Sequence, residues 1–256
     1  MSQTPPVLDV GAPRPIGDAV KQRAWLVYLV LGLAASVAVG MTGSNIAVGG
    51  LTQLAGWFAV AIGLSIFTSS RQETGRPWKF FSAAASLFLL AGLIRVAHGA
   101  ISGVERPFPS PADAVALGGH VCLLMGGAIL GALRAPDRDR AAIVDGAIIA
   151  VALQTIVWST LLWPYMTDGT IPVDERALNA VYALMTMLLL ATIGRLAIGP
   201  GARTLSYRLL AGAILLIFLQ DVLVTVETVG GPTAILGRAL APPIFILFGA
   251  AALHPA

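Results

Sequence analysis

The chain has 256 residues, of which 57% are hydrophobic and 11% charged, with a mean hydropathy of +0.83. A soluble domain carries about 25% charged residues, so the composition excludes one and points to helices in lipid. The net charge of +3 and pI near 9.4 do not indicate nucleic acid, because the basic residues stand singly between apolar stretches.

The first 23 residues, MSQTPPVLDVGAPRPIGDAVKQR, are polar and proline-rich; they read as a disordered cytoplasmic tail and match a signal peptide poorly. Residues 24–256 read as one transmembrane helical domain. Apolar windows near the roughly 20 residues needed to cross a bilayer predict spans at 24–40, 48–68, 80–100, 113–134, 141–164, 175–199, 206–228 and 233–253. The expected fold is therefore all-α, a polytopic membrane helix bundle of about eight transmembrane helices.

The segments that flank these spans alternate in charge. The tail carries Arg14, Lys21 and Arg23, and the first link carries no Lys or Arg. Arg71, Arg76 and Lys79 come after it, then Arg106 alone, then Arg134, Arg138 and Arg140, then Arg176 alone. Arg195, Arg203 and Arg208 come next, and Arg238 last. By the positive-inside rule both termini are expected in the cytoplasm, which makes the chain a multi-pass protein of the cell membrane. Trp158, Trp163 and Tyr165 are expected in an outer aromatic belt, and Trp25, Tyr28 and Trp78 in an inner one. Pro242 and Pro243 fall inside span eight, where they are expected to break or kink it.

Arg95 lies well inside a span rather than at its end. At ~1.5 Å per residue it lies roughly 7 Å outward of centre in span three; Asp221 in span seven and His120 in span four lie roughly 6 Å outward. His98 and Asn179 lie further out, and His98 shares a helix face with Arg95. Intramembrane charge is expensive and normally paired, so Arg95 with Asp221 is the expected pair. Two readings are open: the pair only fixes helix arrangement, or Arg95, His98, His120, Asn179 and Asp221 line an outward pocket for a small ligand. Asp145, near the start of span five, is expected to favour that helix's dipole.

No catalytic or metal constellation is visible: the three histidines lack ligand spacing, and no HExxH or GxSxG string occurs. No cofactor is expected. Cys122 stands alone, which excludes a disulfide framework. Gly127 and Gly131 in GGAILG give weak support for a dimer face.

Four strings carry a resemblance. PSPADAVALGGHVCLLMGGAILGALR (109–134), RAAIVDGAIIAVAL (140–153), LLAGAILLIFLQDVLV (209–224) and FILFGAAALHPA (245–256) resemble the N-terminal membrane input regions of bacterial GGDEF/EAL proteins, over roughly residues 80–256. Asp113, Asp145 and Asp221 stand at acidic positions of that pattern, whereas Ala116, Ala183 and Thr186 stand where the family prefers Tyr, Pro and Asp. The resemblance implies a sensory module, a homodimer, and a cytoplasmic output domain that makes or degrades cyclic di-GMP. Nothing in the chain reads as that output domain, so it is expected after Ala256 or from a partner. The chain itself is expected not to be an enzyme. A small-solute transporter or channel is the alternative, because intramembrane charge and a proline-broken helix also serve substrate sites. A membrane-embedded hydrolase or transferase would need an acid, base or metal set that three scattered histidines do not supply.

Overall fold

The computed structural model describes residues 76–103, 108–134, 139–198, 205–228 and 234–253, with scattered helical residues within 25–34 and 54–62. The expected tail, and most of spans one and two, lie outside the described residues. Among the described residues the α-helices are, in chain order, α1 Arg76–Ser102, α2 Pro111–Arg134, α3 Asp139–Val157, α4 Trp163–Thr167, α5 Val173–Ile198, α6 Leu205–Thr228 and α7 Ala234–Leu253. A π-helical segment, Trp158–Leu162, joins α3 to α4. Among the described residues no strand occurs, and four helical stretches are long and apolar enough to cross a membrane: Arg76–Ser102, Pro111–Leu133, Ile143–Thr160 and Leu205–Leu223. Helices α5 and α7 cover the residues expected for spans six and eight but are not among these four stretches.

The helix ends arise from local chemistry. Helix α1 stops at Ser102 because Gly103 takes a φ of +72° and returns its N–H to the carbonyl of Gly99 at 3.0 Å, a left-handed stop that glycine makes without strain. Helix α2 starts with Ser110 as N-cap and Pro111 at the first helical position, where a missing N–H costs nothing. The carboxylate of Asp113, three residues on, accepts the Ser110 backbone N–H at 2.8 Å and the Ser110 hydroxyl at 3.1 Å. This is the acid side of a capping box. The SPAD string is therefore a helix start.

Proline also explains the π-helical segment. Pro164 cannot donate to the carbonyl of Thr160, four residues back. The chain widens one turn there, and the Trp163 N–H reaches the carbonyl of Trp158, five residues back. Pro242 and Pro243 do not break α7, which runs as one helical element from Ala234 to Leu253. Such prolines are tolerated where neighbouring helices compensate for the lost bond.

Helix α1 packs on α2, α6 on α7 and α3 on α5, and α5 also touches α2 and α6. The core joins Phe81, Ala84 and Ala85 of α1, Leu123 and Leu130 of α2, Leu189 of α5, Leu210 and Ile214 of α6, and Ile244 and Phe248 of α7. Phe81 meets Trp78 and Phe248 edge-on, with ring centroids 5.4 and 5.6 Å apart.

Small residues set the crossings. A Cβ on Gly126 would meet the Phe81 ring at 2.6 Å, one on Gly127 would overlap the Thr192 methyl, and one on Gly131 would meet the Arg195 guanidinium at 2.7 Å. Gly127 and Gly131 thus pack against α5 within the chain. The tightest crossing is between α3 and α5, where a Cβ on Gly146 would sit 2.5 Å from the Ala191 carbonyl and one on Gly194 would sit 2.8 Å from the Gly146 Cα. Backbone meets backbone at that point, as small-residue contacts between membrane helices allow.

Candidate functional site

Arg95 projects from α1 and pairs with Asp113 of α2 through a short contact between Nη2 and Oδ1. The expected partner was Asp221, so this is a correction. Depth counting placed Arg95 level with Asp221, whereas Asp113 is the first residue of the expected span 113–134. A long guanidinium side chain spans several ångströms, however, and carries its charge toward the helix ends. The Asp113 side chain is only 3% exposed, whereas that of Arg95 is 43% exposed. The carboxylate is the enclosed partner, and Tyr182 of α5 completes its shell by donating its hydroxyl to Oδ1 at 3.0 Å. One buried aspartate therefore caps α2, binds α1 and binds α5.

One turn further along α5 lies a second polar group. Thr186 has its hydroxyl 2.8 Å from the Tyr182 carbonyl and 3.0 Å from Oδ2 of Asp221 on α6. His120 of α2 is 4% exposed, and its Nε2 lies 3.8 Å from the same Oδ2. The imidazole edge meets the rings of Phe88 and Tyr182, with centroids 5.1 and 5.8 Å away, and its Nδ1 contacts the Ala116 carbonyl at 2.9 Å. Ala116 is itself buried against Ala91 and Ala112.

The two groups meet through the single turn of α5 between Tyr182 and Thr186. Together they join side chains of α1, α2, α5 and α6. No family model matches the chain, and neither curated proteins nor solved structures yield a match. The chemistry open to the site is therefore read from its own side chains.

The other expected site residues divide. Asn179 is buried as expected but donates its amide N–H to the Tyr165 hydroxyl at 2.8 Å, two turns before Thr186 on α5. It is a helix-joining contact separate from Arg95. Tyr165 is correspondingly 3% exposed and turns into the bundle, whereas Trp158 and Trp163 remain exposed as belt residues would be. His98, one turn beyond Arg95, is half-buried, with no hydrogen bond to its enclosed Nδ1. Asp145 is exposed and lies six residues past the start of α3, too far in for the expected role at the helix dipole.

Sequence reasoning missed Tyr182 and Thr186 as partners and missed the double role of Asp113. The capping-box spacing of Ser110 and Asp113 was the available signal. Tyr182 had none, because a lone tyrosine in an apolar helix carries no pairing information. No group of three or more His, Cys, Asp or Glu side chains is placed to hold a metal among the described residues. Chemically, the arrangement can hold charge and exchange protons. It also offers the half-exposed Arg95 guanidinium to an anionic group while Asp113 keeps it in place.

Proposed function

We propose that this chain is a membrane-embedded signal-input module, in which the Arg95–Asp113–Tyr182 cluster couples an external signal to helix packing. The observation that supports the reading is the Asp113 carboxylate: one enclosed group holds the start of α2 and the sides of α1 and α5. Any ligand that competes for Arg95 loosens three helices together. The size of that response is limited to the ligand's differential affinity for the two packings.

In this proposal both termini are cytoplasmic, the Arg95 end faces outward, and the fuller architecture has eight spans. The resemblance to GGDEF/EAL input regions makes the output a cytoplasmic cyclic di-GMP enzyme, attached after Ala256 or supplied by a partner, with the module acting as a homodimer. The deciding experiment expresses the chain and its Asp113→Asn variant in native cells and reads cellular cyclic di-GMP, with membrane insertion checked for both. A difference between the two supports the module. Equal levels, with both proteins inserted, overturn it.

The alternative of a small-solute transporter is favoured by one observation, the half-exposed guanidinium above a polar interior. It requires solute flux in proteoliposomes that Asp221→Asn abolishes; absence of flux removes it.

A further inference from the structure

The hydrogen atoms at His120 do not balance if the site holds only a neutral imidazole and an ionised aspartate. A backbone carbonyl can only accept, so the 2.9 Å contact between His120 Nδ1 and the Ala116 oxygen places a hydrogen on Nδ1. In a neutral ring Nε2 is then a bare acceptor. It faces Oδ2 of Asp221, another acceptor, at 3.8 Å, and it has no hydrogen-bond donor of its own.

The Thr186 hydroxyl does not resolve this conflict. It has one hydrogen and two acceptors, the Tyr182 carbonyl at 2.8 Å and Asp221 Oδ2 at 3.0 Å. If that hydrogen goes to the carbonyl, the contact with Oδ2 again sets two lone pairs against each other. A single additional proton removes the conflict at Nε2, or the one at Thr186, according to where it sits. On Nε2 it gives an imidazolium facing a carboxylate; on Oδ2 it gives a carboxylic acid facing Nε2 or Thr186.

We infer that His120 and Asp221, with Thr186, form a proton-binding site that holds one proton between the buried imidazole of α2 and the partly exposed carboxylate of α6. The charged and titratable groups that face it, among the described residues, are Arg95 from α1, Asp113 from α2 and Tyr182 from α5; α6 contributes Asp221 itself. Arg95 and Asp113 neutralise each other by direct contact, so among the described residues the proton sets the net charge of this group. With it, the interior counts Arg95, Asp113 and a neutral His120–Asp221 pair, and is balanced. Without it, the His120–Asp221 pair carries one negative charge, which an apolar bundle disfavours. Losing the proton therefore drives repacking between α2 and α6 or uptake of a cation. The site does not depend on the signal-input reading, and it would serve a transporter equally well.

The test is spectroscopic and starts with the native residues at the site. The chain, carrying His98→Gln and His254→Gln so that His120 is its only histidine, is labelled with ¹⁵N-histidine and placed in lipid nanodiscs. Nitrogen NMR and infrared difference spectra are recorded from about pH 5 to 8, the window in which imidazoles titrate. The expected result is Nδ1–H throughout the window. At its acid end an additional proton appears as an imidazolium signal or as a protonated-carboxyl band, and Asp221→Asn removes whichever is seen. A bare Nε2 with an ionised Asp221 throughout that window overturns the inference. So does an imidazolium or carboxyl signal that survives unchanged in a folded Asp221→Asn protein. The first result needs no substitution at the pair, so it decides the question even where the variant folds poorly.

Discussion

Helices α2 and α3 are neighbours in sequence and similar in apolar character, yet they treat polar side chains in opposite ways. In the membrane-crossing stretch of α2, 44% of residues are buried in the protein; in that of α3 the figure is 11%. On α2 the polar side chains reach across to other helices: Asp113 to α1 and α5, and His120 toward α6. On the lipid-facing side of α3 and its π-helical continuation, Thr155, Ser159 and Thr160 turn back on their own helix. They donate to the carbonyls of Val151 and Ile156 at 2.7, 3.1 and 2.7 Å. A hydroxyl that faces hydrocarbon must satisfy itself locally. One that faces protein can become a bond between helices. The bundle thus has a polar, interlocked side and an apolar arm fastened to it by α5.

This contrast can be broken from either side. The largest effect is expected for Asp113→Ala, which strands the Arg95 charge and removes the cap of α2. A loss of about 3 kcal/mol is expected, at the low end for a buried pair because the guanidinium is partly exposed. Reversible unfolding in mixed micelles measures it, and adding Arg95→Leu should restore part of the loss. Strictly additive losses would show that the two side chains do not act as a pair.

Next comes Gly146→Leu. No flexible side chain can give way at that crossing, so the arm must shift, at a cost of about 2 kcal/mol. Cysteines placed on α3 and α5 on either side of Gly146 should cross-link in the native chain and fail to do so in the variant. Unchanged cross-linking would mean that the two backbones are not in contact there.

A smaller loss, about 1 kcal/mol, is expected for Tyr165→Phe, which leaves the buried Asn179 amide without its acceptor. The same unfolding assay reads it, and a value indistinguishable from zero would show that Asn179 has another partner. The smallest effect is expected for Ile148→Ala on the exposed face of α3. Lipid replaces lipid-like side chain there, so the change should stay within about 0.5 kcal/mol. A loss as large as that of Gly146→Leu would show that this face is covered by protein.

Much of the architecture was legible because lipid imposes a coarse rule: where a chain crosses, it must be apolar and helical for a sufficient length. The third to eighth expected spans fall on described helices, four of them long and apolar enough to cross a membrane, while Arg95 pairs with Asp113 and His120 lies near Asp221. The partners were less legible. Depth along a helix comes from counting residues, but which carboxylate an arginine reaches depends on side-chain length and on helix rotation, and neither is written in an apolar sequence. Asp113 could have been read as a cap from Ser110 alone. Its bond to Tyr182 could not, since 69 residues separate them. Similarly, GGAILG showed that something packs closely, without showing whether the neighbour was a second chain or α5.

The π-helical segment at Trp158–Leu162 has one further implication. An α-helix turns about 100° per residue, so a widened turn holding one more residue rotates everything after it by that amount. Had α3 continued regularly, the direction in which Tyr165 now points would belong to an adjacent position, and the ring that holds Asn179 would face elsewhere. Pro164 therefore acts as a phase setter. By refusing one hydrogen bond it decides which aromatic side chain meets the bundle and which meets the lipid. Shortening this segment by one residue would exchange those roles while leaving the composition of the helix almost unchanged.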